Sequence, residues 1–447
     1  MLKDPYPVQP WARPCSGEVS PPGSKSLTNR AMVIAALAKG SVRLKGALFS
    51  RDTRIMTKVL QQLGFRISVD EEEKWIEIEG LGGRIPEAEA TLHVGNAGTA
   101  ARFLTAFVCL HPGGRYHFDG DEEMRARPMG GLLSALEELG ARFVFHGQQG
   151  CFPFEVHTCG LRGGGWTVDA SLSSQMLSAL MMVAPLAREP VRISCPDVRP
   201  AFVEMTAGIM GQWGSGINGS PDSGYGISGK RGYTAPGSGE YDIEPDATAA
   251  SYFMILPAVV GGSVTIRGLS QDMLQGDRAF VTVLEELGLI VEQGTGGCTI
   301  TSAPIRGTSP RTFDFRTFSD TFLTLAAVAP LLPFSVTIKG IGHTRLQETD
   351  RIRAMATELQ RVGARVEEGE SSITIHPFGG DRCPGSTPVR VLTYKDHRVA
   401  MSFAILGCSP RFGDVPWIHL DDPACCGKTF PGFFGVLEDL YRNSHDK

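Results

Sequence analysis

The sequence predicts an α/β chain of six like units gathered into two similar domains. Two periodic series and one recurring composition predict it. In the first series a helix-like segment closes on an apolar residue and a glycine. It reads QQLG ending at Gly64, EELG at Gly140, GQWG at Gly214, EELG at Gly288 and QRVG at Gly363, at intervals of 76, 74, 74 and 75 residues. A sixth helix, VLEDLY, ends near Tyr441, another 78 on. Glycine in this place stops a helix in the left-handed conformation. Alternating stretches such as FRISVD, ARFVFH and SSITIH follow, the period-two mark of half-buried strands.

The second series runs in phase with the first. Small or polar turns open strongly apolar helices at PGSKSLTNRAMVIAALA, GNAGTAARFLTAFV, SLSSQMLSALMMVAP, PDATAASYFMILPAVV, FSDTFLTLAAVAP and KDHRVAMSFAILG. With Lys25, Gly98, Ser174, Asp246, Asp320 and His397 as markers, the spacings are 73, 76, 72, 74 and 77.

Each unit therefore reads as strand, helix, strand, helix, strands. The recurring composition is that of the opening helices, apolar on every face, which marks a buried helix rather than an amphipathic one. Six of them suit two groups of three, each inside its own domain. The midpoint falls in GSGINGSPDSGYGISGKRGYTAPGSGE, a Gly- and Ser-rich stretch that reads as loop.

At 447 residues the chain exceeds what one core usually serves. A net charge of −5 supplies no general field for nucleic acid or an anionic membrane, so cations that hold an anion must be gathered locally. The longest apolar stretch, Phe322 to Val336, is broken by Pro330 and Pro333 and is too short to span a bilayer. The ten cysteines form no C-x-x-C pair, and Cys109 and Cys408 sit in apolar runs as buried thiols do. With no apolar signal segment near Met1, a reduced, cytoplasmic setting is expected.

If the buried helices of a domain run parallel, their N-termini share one face, and unpaired N–H groups there attract anions. The starts differ between the halves. The first half offers Lys25, Ser26, Asn96, Thr99, Ser173, Ser174 and Gln175 as donors; the second offers Asp246, Asp320 and the run Asp396-His397-Arg398. Such residues also serve as plain N-caps, worth about 0.5–2 kcal/mol each. Lys25 is different, because a cation at the positive end of a helix is misplaced unless an anion joins it. GSKS is not a P-loop, since Ser24 separates Gly23 from Lys25. Arg125, Arg127, Arg351, Arg353 and Lys428 are further basic residues in local motifs, although a surface arginine is ordinarily a solvated charge. LQETDR can equally open a helix, with Thr349 as its cap.

PGSKSLTNRAM, GNAGTAARFLTA, RPMGGLLSALEELGA, SLSSQMLSAL, PDATAASYF, SDTFLTLAAVA, the QETDRI-AMATEL-RVGA run, DHRVAMSFA and KTFPGFF are collinear from Pro21 to Phe434. Together they resemble the 5-enolpyruvylshikimate-3-phosphate synthase family. The resemblance implies the enolpyruvyl transferase fold, two domains of three βαβαββ units around buried parallel helices. Residues 1–22 with 244–447 would form one discontinuous domain, 23–243 the other, and the active site would lie in the cleft between them. It implies Lys25, Ser26, Arg30, Ser173, Ser174, Gln175, Asp320 and Gln347 for shikimate 3-phosphate. Lys25, Asn96, Gly98, Arg127, Gln175, Arg351, Arg398 and Lys428 would serve phosphoenolpyruvate, whose two anionic groups suit arginine clamps. Asp320 would deprotonate the 5-hydroxyl while Lys25 or Glu348 handles the methylene proton, through a tetrahedral intermediate. The chemistry so implied needs no metal and no cofactor. A monomer, binding the phosphoenolpyruvate-like inhibitor glyphosate, is the accompanying expectation.

The chain departs from the family pattern in places. Gln347 stands where lysine is common, His343 where asparagine is, and Arg102-Phe103 where Arg-Pro is. PDVRPAFVEMT aligns poorly with the family's Ser-Arg-Pro-Tyr. A UDP-N-acetylglucosamine enolpyruvyl transferase is disfavoured, because its Lys-Asn pair and loop cysteine are replaced by Lys25-Ser26 and Arg127-Pro128. Two alternatives stay open: a carboxyvinyl transferase for a modified shikimate-like acceptor, and a catalytically dead anion-binding homologue.

Overall fold

Among the described residues, six small sheets carry the six repeats. The structure is a computed structural model, described over residues 2–196, 198–220, 222–227, 232–380 and 388–445. Glu89–His93 runs parallel to Arg115–Asp119, and a parallel pair needs a crossover; the buried helix Gly98–Val108 supplies it. Arg115–Asp119 then pairs antiparallel with Phe154–His157, which hairpins with Arg142–Phe145. The same strand order recurs in Gly164–Thr167, Val191–Ser194, Gly224–Ile227 and Ile217–Ser220. It recurs again in Arg311–Asp314, Val336–Lys339, Ser372–Ile375 and Val366–Glu368.

The chain divides into two compact units, 23–244 and 1–22 with 245–447. Glu244 stays with the first of these, one residue from the expected division, because its carbonyl accepts the Ser24 N–H at 2.8 Å. In the same way Pro22 accepts the Asp246 N–H at 2.8 Å in the other unit. The strands beside these junctions are exchanged. Cys15–Val19 precedes the helix Lys25–Leu37 in sequence yet pairs with Gly262–Arg267, whereas Glu240–Asp242 precedes the helix Ala247–Met254 yet pairs with Ala38–Lys45.

The stretch from Gly214 to Glu240 is not the loop its composition suggests. Over its described residues it forms the hairpin Ile217–Ser220 and Gly224–Ile227, then Tyr233–Thr234 beside Ala38–Lys45. Pro221 and 228–231 lie outside the described residues. The glycines serve close backbone approach: a Cβ on Gly219 would stand 1.9 Å from the Gly224 carbonyl oxygen.

Helices Lys25–Leu37, Gly98–Val108, Ser174–Val183, Ala247–Met254, Phe322–Val328 and His397–Gly407 are buried on nearly every face. Outer helices close five of the repeats on Gly64, Gly140, Gly214, Gly288 and Gly363, all at φ between +79° and +104°. In each, the residue after the glycine donates its N–H five residues back, as Phe65 does to Leu60 and Ala364 to Leu359. That is the Schellman closure, and it needs a residue comfortable at positive φ. The sixth outer helix, Phe433–His445, lacks this glycine. Cys109 and Cys408 are buried thiols, each donating to the carbonyl four residues back at 3.3 Å. No helix among the described residues is long and apolar enough to cross a membrane.

Candidate functional site

Each unit gathers the starts of its buried helices. In the 23–244 unit Ser24 caps the first helix, its hydroxyl accepting the Leu27 N–H at 3.4 Å, which leaves Lys25 and Ser26 as the first helical residues. The Lys25 ammonium lies 3.5 Å from the Asp52 carboxylate, whose side chain is 5% exposed. The anion that a cation needs at a helix start is thus already present in the chain, and position alone does not argue for a bound ligand at Lys25.

Arg30, expected at a substrate phosphate, is drawn inward and 1% exposed. Its donors reach the hydroxyls of Thr206 (2.7 Å) and Ser178 (3.3 Å) and the carbonyls of Ser26 (3.0 Å) and Phe202 (3.3 Å). Phe103 and Phe202 present ring faces to it at 5.2 and 5.9 Å. Burial pulls this guanidinium down to about 9. The Phe103 that departs from the family pattern is therefore a packing partner of Arg30.

At the second start, Arg127 donates to the Asn96 amide oxygen at 3.4 Å. A Cβ on Gly98 would stand 2.8 Å from the Arg127 guanidinium and 2.9 Å from that of Arg102. The bare glycine lets both cations lie over the helix end. At the third start the Ser173 hydroxyl accepts the Gln175 N–H (3.3 Å), and Ser174 begins the helix, buried. The Gln175 amide is fixed at both ends, its oxygen by Arg102 (3.0 Å) and its nitrogen against Thr99 Oγ1 (3.3 Å). Arg125 stands apart, exposed and paired with Asp119 at 2.6 Å.

The other unit builds its gathering around Arg351, whose side chain is 2% exposed. Asp350, not Thr349, caps this helix, its carboxylate accepting the Arg353 N–H at 3.0 Å. That places Arg351 at the first helical position, facing inward. Its donors reach Asp396 (2.8 Å), Glu348 (2.8 Å), Asp320 (3.1 Å) and the Gln347 amide oxygen. Arg398 donates to the second Asp320 oxygen at 2.7 Å, and Lys428 to the second Glu348 oxygen at 2.9 Å. Burial alone would lower Arg351 and Arg398, but the surrounding carboxylates override it and hold both guanidiniums above their ordinary value. Asp320 does not open the helix directly. It lies in the short turn Ser319–Thr321 ahead of Phe322–Val328, and His343 fixes that turn through Nε2 to Ser319 Oγ at 2.8 Å.

Five side chains singled out in the sequence, Asp320, Glu348, Arg351, Arg398 and Lys428, thus share one network. Sequence reasoning missed Asp52 and Asp277 and weighed Asp396 only as part of a run. Asp396 spans two jobs, capping its helix through the Arg398 N–H (2.8 Å) and pairing with Arg351. Asp197 of the poorly aligned segment lies outside the described residues; its neighbour Phe202 packs on Arg30.

The mixed α/β fold of this chain is shared by a solved EPSP synthase from Acinetobacter baumannii. That structure superposes with a TM-score of 0.77 at 22% identity over 97% of each chain, a likeness of fold. The EPSP synthase family model, 3-phosphoshikimate 1-carboxyvinyltransferase, matches residues 11–437, and the chain belongs to that family. The 3-phosphoshikimate 1-carboxyvinyltransferase of Opitutus terrae is 47% identical over 99% of both chains. That of Nostoc punctiforme is 39% identical over 94% of this chain and 96% of its own.

Proposed function

We propose that this protein transfers the enolpyruvyl group of phosphoenolpyruvate to the 5-hydroxyl of shikimate 3-phosphate, releasing phosphate. The observation that carries the reading is the pair of acids, Asp320 and Glu348, held between Arg351, Arg398 and Lys428. An anion-binding protein needs the cations; only a reaction that moves protons needs both carboxylates beside them.

In this proposal Asp320 accepts the 5-hydroxyl proton as that oxygen bonds to C2 of phosphoenolpyruvate. The methylene carbon takes a proton from Lys25 or Glu348, giving a tetrahedral adduct. Loss of a methyl proton then restores the double bond as the C2–phosphate bond breaks. Arg127, Arg351, Arg398 and Lys428, with Asn96 and Gly98, take the phosphoenolpyruvate anions, and Ser26, Ser173, Ser174, Gln175 and Gln347 take the acceptor. Arg30 acts from behind, a buried positive charge whose hydrogen bonds go to neutral oxygens. The two units supply complementary groups, donors from 23–244 and acids from the other. A cytoplasmic monomer that glyphosate inhibits completes the proposal.

Gln347 favours one second reading. Its amide oxygen is engaged by Arg351, so the position offers the acceptor an amide where relatives of the family pattern offer an ammonium. A modified shikimate-like acceptor would suit that change. Incubation with phosphoenolpyruvate and shikimate 3-phosphate, with phosphate release and product mass as readouts, separates the readings. Release with shikimate 3-phosphate supports the first; release only with another acceptor supports the second. Binding without release makes the protein a dead homologue.

A further inference from the structure

Asp277 is a buried carboxyl that the proposed reaction does not use. It sits in the short turn Gly276–Ala279, which packs against the start of the helix Ala247–Met254 and against the turn Ser319–Thr321. Gln275 pins that turn: its Nε2 donates to the Pro245 carbonyl at 2.7 Å and its Oε1 accepts the Ala247 N–H at 3.0 Å. Asp277 is 5% exposed. The Thr248 hydroxyl bonds its carboxyl, yet Oδ1 is buried with no hydrogen-bond partner.

The charges that face it come from three elements: Asp246 at the head of Ala247–Met254, Asp320 on Ser319–Thr321, and Arg398 on His397–Gly407. Arg278 on its own turn, and Glu285 and Glu286 on the helix that follows, are exposed. An ionised carboxylate without a cation of its own, one oxygen unsatisfied, is costly in a buried place. Asp246 and Asp320 add like charge around it, and the Arg398 that faces it is already paired with Asp320 at 2.7 Å.

We infer that Asp277 is a positioning residue for Arg398: buried in a turn packed against the one that carries Asp320, its carboxyl is protonated when the site takes an anion, so that Arg398 is not neutralised twice and stays able to take an anionic substrate group. The inference rests on the proposed role of Arg398. Burial first, and the Asp320 charge second, push this carboxyl up to about 7, in the direction the geometry requires. Below that pH it is neutral; above it, a negative charge appears behind Arg398 and weakens the hold on anions.

The test is Asp277→Asn, which keeps the size and fixes the neutral state. As the pH rises from about 6 to about 8.5, the KM for phosphoenolpyruvate of the parent rises roughly tenfold more than that of the variant, the effect of one added charge at moderate dielectric. Ionisation of the substrate itself is common to both and cancels. A parent and variant whose KM values change in parallel overturn the inference. A second measurement does not need activity: infrared difference spectra of parent minus variant show a protonated-carboxyl C=O band at about pH 6 that fades through pH 7. Absence of that band overturns the inference even if turnover is never seen. Its presence in a protein that fails to bind phosphoenolpyruvate leaves Asp277 neutral as inferred and sinks the assigned function instead. Failure of Asp277→Asn to fold counts against a neutral carboxyl, and titration of the band in the parent alone then decides.

Discussion

Replacing Arg351 with methionine deletes the donor that four acceptors share, and the cost falls unequally among them. Asp320 keeps Arg398 at 2.7 Å, and Glu348 keeps Lys428 at 2.9 Å. Among the described residues, Asp396 has no second arginine or lysine within ion-pair distance. Its side chain is 0% exposed, and beyond Arg351 it holds the Arg398 backbone N–H and faces His397 Nδ1 at 3.8 Å. Breaking a buried ion pair from one side costs about 3–5 kcal/mol because the remaining charge cannot reach water. The expected loss for Arg351→Met is therefore roughly 3 kcal/mol, most of it at Asp396. Removing that charge as well, in Arg351→Met with Asp396→Asn, returns about half, so the two changes couple by more than about 1 kcal/mol. Urea unfolding by circular dichroism reads the loss. Fluorescence assigns it, since Trp11 and Trp417 belong to the unit of Arg351 while Trp75, Trp166 and Trp213 belong to the other. A single-variant loss under about 1 kcal/mol, or simple additivity in the pair, would show that Asp396 is not held by Arg351 and refute the reasoning.

Asp320→Asn lowers kcat by about 10²–10⁴ while phosphoenolpyruvate binds at least as tightly, because Arg351 and Arg398 lose a competing anion. Calorimetry showing binding lost together with turnover would make Asp320 structural. Gln347→Lys gives up the hydrogen bond from Arg351, worth about 1 kcal/mol of stability, yet adds a cation beside the network and tightens glyphosate a few-fold. Unchanged inhibition would place position 347 outside the site. Gly288→Ala costs about 1–2 kcal/mol purely from its φ of +101°, since nothing lies within 4 Å of the added methyl. A neutral result in thermal unfolding would mean the helix end shifts instead.

The fold was legible because its signals are local and repeated. A glycine that must be left-handed, an all-apolar helix and a period-two strand each announce themselves within a dozen residues, and phase along the chain does the rest. The stretch after Gly214 misled because composition reports flexibility, whereas glycines there permit strands to approach closely. In the candidate site, residues inside distinctive motifs, Asp320, Glu348, Arg351, Arg398 and Lys428, could be named in advance. Their partners could not. Asp52 answers Lys25 across 27 positions of chain, and Asp277 lies in QGDRAF, where one acid among polar neighbours carries no periodic mark. The cap of the Arg351 helix was misplaced by one residue because Thr349 and Asp350 are both good caps and only the backbone decides between them.

The strand exchange at the two junctions sets an order of events during synthesis. Residues 23–244 are contiguous, so that unit has all its partners once Asp242 has pairing access to Ala38–Lys45. The segment before residue 23 must wait. Cys15–Val19 has no partner until Gly262–Arg267 is translated, and Tyr6 meets Leu420 only when nearly the whole chain exists. Because domains fold as units while the ribosome is still at work, the inserted unit completes first, and the leading segment stays unpaired until some 240 to 410 residues have been added after it. Tyr6–Pro7 and Cys15–Val19 are thus among the last strands to pair, and a delay late in translation falls hardest on them.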